Sequence, residues 1–125
     1  MNTLALVTTV NALLYLAASL LHTGVTIPLG SLVIGFPAPS PPASVAEGLI
    51  GVVLSVAAVT LFRAGSIRLV WGAYVFALAG TLLGLSIIVA TRTGGPDLWI
   101  HFFMLAGLAA GFALLLAARG RTRST

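Results

Sequence analysis

The chain has no cysteine and no lysine, and it has very few charged residues of either sign. Without cysteine, it cannot form disulfides, thiolate metal sites, thiol redox centres or a cysteine nucleophile. Only 6% of its 125 residues are charged, whereas a soluble domain carries roughly 25%. Its hydrophobic fraction is 59%, which leaves too few polar side chains to cover a surface in water. We therefore expect lipid to be its solvent.

The few charges that are present point to a membrane and not to nucleic acid. Glu47 and Asp97 are the only acids, and the six basic residues are all arginines, which gives a net charge of +4. The arginines lie at the ends of apolar segments and in the C-terminal tail, where membrane topology accounts for them. The predicted partner is the lipid bilayer, and no nucleic-acid partner is expected.

Four apolar segments are each long enough to cross about 30 Å of hydrocarbon, which takes about 20 helical residues. Prolines, glycines and arginines separate these segments, and Ser44 is placed to cap the second. The sequence therefore predicts one four-span domain over residues 1–125, an all-α integral membrane protein folded as an antiparallel four-helix bundle. The predicted helices cover approximately residues 3–22, 44–62, 67–91 and 97–118.

The arginines also predict an orientation. Arg63 and Arg68 flank the loop between the second and third segments, and three more arginines follow the fourth. With four spans these five lie on one side of the membrane, and only Arg92 lies on the other. Because arginine and lysine are enriched on the cytoplasmic side, we predict a multi-pass protein of the cell membrane with both termini cytoplasmic.

The loop between the first two segments is almost uncharged and rich in proline. Its apolar runs 25–27 and 32–34 flank a Pro-Leu-Gly-Ser turn signal, which predicts a short β-hairpin. A loop of this kind on the outer side is either a stiff connector or a lid over a site, and both interpretations stay open.

Small and weakly polar residues recur every three or four positions in each segment, so they share one helix face. In lipid such faces pack against neighbouring helices, and packing alone explains most of them. The predicted inward faces are Thr8, Asn11, Tyr15, Ser19 and His22; Ser44, Glu47, Gly48, Gly51, Ser55 and Ala58; Ala73, Ala77, Gly80, Gly84 and Thr91; and Asp97, His101, Met104, Leu108 and Gly111.

The ionisable residues need a further explanation, because charged or titratable groups inside a membrane either pair or serve a function. The topology places both histidines and both acids at one level, near the outer ends of the helices. We therefore predict that His22, Glu47 and His101 converge in one pocket beneath the first loop. The predicted ligand-binding residues are His22, Glu47, His101, Asp97, Tyr15, Ser19 and Arg92, with Tyr15 and Ser19 as the floor.

Several chemistries fit this set. Two histidines and a carboxylate could bind a divalent metal at His22, Glu47 and His101, and two histidines could ligate haem iron. The same groups could relay protons. The competing structural explanation makes Asp97 a helix N-terminal cap, pairs it with Arg92, and leaves the histidines solvated among lipid headgroups.

The leading functional hypothesis is a pocket that binds a metal, haem or a small polar ligand, in a protein that could be an accessory subunit of a larger membrane complex. The first alternative is a transporter or channel component that acts as a homo-oligomer and needs water at the depth of Asn11 and Tyr15. The second is a membrane enzyme using the histidine–glutamate cluster, and the sequence leaves open whether the chain is an enzyme. Small multidrug transporters carry a glutamate in the middle of their first helix, and four-span thiol oxidoreductases need cysteines; this chain has neither.

Overall fold

The structure, a computed structural model, describes residues 3–36, 38–91 and 95–121, with side chains as far as Arg119. In these ranges the chain forms four helices that are long and apolar enough to cross a membrane. The predicted all-α, four-helix membrane bundle is confirmed. The helices are α1 (Thr3–His22), α2 (Pro41–Phe62), α3 (Ile67–Thr91) and α4 (Pro96–Arg121).

The start of α2 differs from the prediction. Pro41 and Pro42 occupy its first positions, where the missing N–H groups would have had no helical partner. Ser40 precedes them as the N-cap residue, although its side chain makes no capping hydrogen bond. The predicted cap at Ser44 is therefore wrong: Ser44 lies inside the first turn, and its N–H donates to the carbonyl of Ser40 over 2.9 Å.

The predicted hairpin in the first loop is confirmed. Strand β1 (Ile27–Leu29) pairs antiparallel with β2 (Leu32–Ile34), so that Leu29 stands opposite Leu32. Gly30 begins the two-residue turn with a φ of +64°, which glycine adopts without strain. The strand begins at Ile27 and includes Pro28, which the sequence pattern had assigned to the turn.

The helices form a ring in which sequence neighbours are antiparallel: α1 contacts α2 and α4, and α3 contacts the same two helices. We call the end where α1 and α3 finish and where α2 and α4 begin the hairpin end, because it carries the β-hairpin. The opposite end carries the short connection from α2 to α3, with Arg63 and Arg68.

Glycines let the helices approach one another closely. A methyl group at Gly51 would lie 2.8 Å from the side chain of Leu16, and one at Gly80 would lie 2.6 Å from the Cδ1 of Ile50. These glycines therefore serve contacts within the chain, as small residues do in membrane bundles. The large side chains that fill the core at no more than 1% exposure include Tyr15, Leu54, Tyr74, Met104 and Leu108.

Two reciprocal tyrosine–threonine pairs join α1 to α3 across the bundle. Thr8 pairs with Tyr74 at 2.9 Å, and Tyr15 pairs with Thr81. Each threonine hydroxyl also donates to the carbonyl four residues before it, at 2.7 Å in both cases. Because a hydroxyl carries a single proton, the tyrosines are the donors in both pairs. The pairs are one heptad apart on each helix, so they hold α1 and α3 in one register.

The same face of α1 is also bonded to its two neighbours. The side-chain amide of Asn11 donates to the carbonyl of Gly107 in α4 over 2.9 Å. The hydroxyl of Ser19 donates to the carbonyl of Ser44 in α2 over 2.7 Å. The polar residues of α1 therefore link this helix to all three others.

Candidate functional site

Four ionisable side chains lie together at the hairpin end. His22 is the last residue of α1, Glu47 lies near the end of the second turn of α2, and Asp97 and His101 occupy the first turns of α4. The residues His22, Glu47 and His101 are only 3%, 5% and 6% exposed. The helices α1, α2 and α4 contribute these groups near a terminus, where the protein can bring them inward without placing them in the middle of the membrane.

Asp97 connects the two histidines. Its Oδ1 lies 3.6 Å from His22 Nε2 and 3.3 Å from His101 Nδ1. His22 Nε2 also lies 3.5 Å from Glu47 Oε1, so this imidazole is flanked by both carboxylates of the chain. Asp97 is therefore more than a helix cap: a single one of its oxygens contacts both rings.

His101 is held by its own helix and by a close approach of α3. Its Nδ1 lies 2.9 Å from the carbonyl oxygen of Asp97, one turn earlier. Because a carbonyl oxygen only accepts, Nδ1 carries the proton in this hydrogen bond. A methyl group at Gly84 would lie 2.7 Å from the other nitrogen, Nε2. Glycine at position 84 therefore makes room for the ring.

The first loop covers His22. The ring of Phe36 stacks on the imidazole with 4.0 Å between ring centroids and 19° between planes. The N–H of Ser40 donates to the carbonyl of His22 over 2.9 Å, which ties the far end of the loop to the end of α1. Phe36 is not among the site residues predicted from the sequence, although it is the only aromatic residue in that loop.

Five buried side-chain atoms of this cluster have no hydrogen-bond partner among the described residues. They are both ring nitrogens of His22, both carboxylate oxygens of Glu47 and Oδ1 of Asp97. Their ion-pair contacts of 3.3–3.6 Å are longer than well-formed charge-assisted hydrogen bonds. Because buried polar atoms in folded proteins are nearly always hydrogen-bonded, these atoms are candidates for contacting a bound molecule.

The cluster forms one wall of a cavity of about 710 Å³. This volume lies in the range of roughly 300–1,000 Å³ that is typical of small-molecule sites. Tyr15 lies two turns before His22 on α1, about 10 Å further from the hairpin end, so it marks the deep part of the cavity. Residues from all four helices and from the loop line it, among them Tyr15, His22, Phe36, Glu47, Ile50, Thr81, Gly84, Asp97, His101 and Met104.

Among the described residues, one predicted site residue is not part of this lining. Ser19 lies in the contact between α1 and α2, because its hydroxyl bonds to Ser44 and a methyl group at Gly48 would lie 3.0 Å from its oxygen. Arg92 lies outside the described residues. Thr81, which was not selected, lines the cavity and holds Tyr15 through their hydrogen bond.

Among the described residues, no group of three histidine, aspartate or glutamate side chains is arranged to hold a metal ion. Metal binding by His22, Glu47 and His101 therefore stays a prediction without a formed coordination geometry. No family model, curated protein or solved structure matches the chain. What the site can do is decided by its own chemistry: imidazoles and carboxylates that offer hydrogen bonds to a molecule in a mostly apolar cavity.

Proposed function

We propose that this small four-span membrane protein binds a small polar organic molecule in the cavity at its hairpin end. One observation carries the proposal: His22, Glu47 and Asp97, which have buried polar atoms without hydrogen-bond partners, line a ligand-sized cavity. Leaving a buried polar group unpaired destabilises a protein by about 1–3 kcal/mol, and more for a charged group. A ligand that supplies the missing partners offsets this destabilisation.

We also propose that the hairpin end faces the outside of the cell membrane and that both termini lie in the cytoplasm. In the described part of the chain, Arg63, Arg68 and Arg119 all lie at or near the opposite end of the bundle. The enrichment of arginine on the cytoplasmic side supports this orientation. In this orientation the pocket is open to molecules outside the cell, or to another subunit of a membrane complex in which this chain is an accessory subunit.

The polar face of α1 favours binding over conduction. A path for ions or water along this face would need water beside Asn11 and Tyr15, which are 2% and 1% exposed. Both side chains are instead bonded to neighbouring helices. These contacts support a pocket with a closed inner end. Acid–base catalysis by His22, Glu47 and His101 has no further observation in its favour.

The test is to identify what the protein retains when it is purified in a mild detergent. Extracts of the wild type, Glu47→Gln and Ser55→Ala are compared by mass spectrometry, together with metal content and the visible spectrum. Ser55 is the matched control, because its hydroxyl bonds within α2 to the carbonyl of Gly51. We expect the wild type and Ser55→Ala to retain an organic molecule that Glu47→Gln loses.

Two results would contradict the proposal. If all three proteins carry the same extractable molecules, the cavity does not select a ligand through Glu47. If a stoichiometric metal or a haem absorption band is lost from Glu47→Gln and kept in Ser55→Ala, the ligand is a metal or haem and not an organic molecule.

A further inference from the structure

We infer that the pocket takes a membrane-dissolved amphiphile with a primary-amine head, and that this ligand reaches the pocket sideways between α2 and α3. The inference rests on the proposed function, because it names the ligand class and the route for the same cavity. Three features carry it: the lipid-facing edge of the cavity, the hydrogen-bond acceptors of its polar wall, and the aromatic ring beside them.

The cavity has an edge that faces lipid. Leu83 and Ile87 of α3 line it and are 63% and 55% exposed. Pro42 and Ala46 of α2 line the same cavity and are also exposed. Since α3 ends at Thr91, Leu83 lies about 12 Å below the hairpin end, at the depth of lipid chains. An alkyl chain can therefore pass from the bilayer into the cavity over apolar side chains alone.

The polar wall of the cavity favours a ligand that donates hydrogen bonds. Its partnerless oxygens are the two of Glu47 and Oδ1 of Asp97, and carboxylates accept hydrogen bonds when ionised. No arginine is among the described residues of the lining, and the chain has no lysine. A quinone or another ligand with acceptors only would leave these oxygens unpaired. A primary ammonium brings three N–H donors for these oxygens and a positive charge that an ionised carboxylate attracts.

The contacts around His22 show where such a head can bind. Glu47 Oε1 and Asp97 Oδ1 lie 3.5 and 3.6 Å from the same imidazole nitrogen, so both carboxylates border one small region. The ring of Phe36, stacked on His22, lines the same cavity. An aromatic face attracts a cation and adds to the binding of an ammonium over a neutral head of equal size.

The head group is tested with octylammonium, octanol and octanoate, which share one chain length. Binding is measured by titration of the protein in phosphatidylcholine nanodiscs, with protein-free nanodiscs as the blank for partitioning. We expect octylammonium to bind at least about tenfold more tightly than either other probe. Glu47→Gln should weaken it by at least about tenfold, since a buried charge partner is lost, and Ser55→Ala should not.

The route is tested with bulky substitutions on the lipid face of α2. Ala46→Trp fills the edge of the cavity, and Val52→Trp is its control on the same helix, at a position 54% exposed. We expect Ala46→Trp to slow the association of octylammonium at least about tenfold. The association of ethylammonium, which is short and water-soluble, should be slowed by a smaller factor. Leu83→Trp places the same obstruction on α3 if Ala46→Trp does not fold.

The outcomes separate this inference from the proposed function. Octanol or octanoate binding as tightly as octylammonium would overturn the amine head and leave the pocket in place. Equal association rates in Ala46→Trp, Leu83→Trp and Val52→Trp would overturn the lateral route alone. If no probe binds and Glu47→Gln retains the same molecules as the wild type, both this inference and the proposed function fail.

Discussion

At the residue scale, the position of the His101 ring depends on the missing side chain of Gly84. The imidazole is held on one side by the carbonyl of Asp97, and on its other side Nε2 lies 2.7 Å from the position that a methyl group at Gly84 would take. Any side chain at position 84 has to share its space with Nε2, the nitrogen that the Asp97 carbonyl leaves free. This close approach therefore connects a helix–helix contact directly to the chemistry of the pocket.

We predict that Gly84→Ala reduces ligand binding at least about tenfold, because its methyl group would lie 2.7 Å from His101 Nε2 and the ring must move. The measurement is octylammonium affinity, with circular dichroism to show that the helices persist. Gly72→Ala is the control, since nothing lies within 4 Å of the position its methyl group would take. Equal affinities for the two variants would show that the placement of His101 does not matter for binding.

Only part of this residue-scale arrangement could be predicted from the sequence. Helical periodicity places His22, Glu47 and His101 at one level on inward faces, and all three are buried there. Periodicity does not give side-chain direction, so it could not show that Asp97 contacts both rings. The position of Phe36 depends on the path of a loop, which no helical pattern predicts.

At the element scale, the pairing of α1 with α3 fixes the depth of the cavity. The hydrogen-bonded pair of Tyr15 and Thr81 lies in the deep part of the cavity, further from the hairpin end than the ionisable cluster. The Thr8–Tyr74 pair repeats this contact one heptad further from the hairpin end. A slip of one turn between the helices would break both pairs together. The two bonds therefore support each other in holding one register.

We predict that Tyr15→Phe and Tyr74→Phe each lower the free energy of unfolding by about 0.6 kcal/mol and by no more than about 1.7 kcal/mol, the mean and the maximum measured for hydrogen bonds between membrane helices. The threonines stay bonded to their own backbone carbonyls, so the loss should not be larger. Unfolding in mixed micelles measures both variants. Only Tyr15→Phe should also change ligand affinity, because Tyr15 lines the cavity. Full stability in both variants would mean that other contacts set the register.

Hydropathy predicts the membrane-spanning helices well and the positions of their ends less well. The four spans are visible in the sequence because each apolar run is bounded by breakers, and α1 and α3 have the predicted bounds. The predicted start of α2 is wrong because Pro41 and Pro42 fit the end of a loop as well as the start of a helix. Proline equally fits the first helical positions, and only the backbone path distinguishes the two cases.

At the scale of the whole molecule, the orientation can be measured directly because the chain has no cysteine. Ser31 lies exposed in the turn of the hairpin, and Ser66 lies exposed before α3 at the opposite end. In intact cells, we predict that a membrane-impermeant maleimide labels Ser31→Cys and not Ser66→Cys. Both should react after permeabilisation, which is the control for reactivity. The reverse pattern in intact cells would place the pocket on the cytoplasmic side.

The bond from Asn11 to Gly107 also has a consequence for how the protein is made. The two residues are 96 positions apart, and ribosomes add roughly 5–20 residues per second, so α1 precedes its partner by roughly 5–20 s. During that interval the amide of Asn11 has no helix α4 to bond, although α1 already belongs in lipid. This bond between α1 and α4 can therefore form only after the last helix has been synthesised, so the bundle completes its contacts at the end of translation.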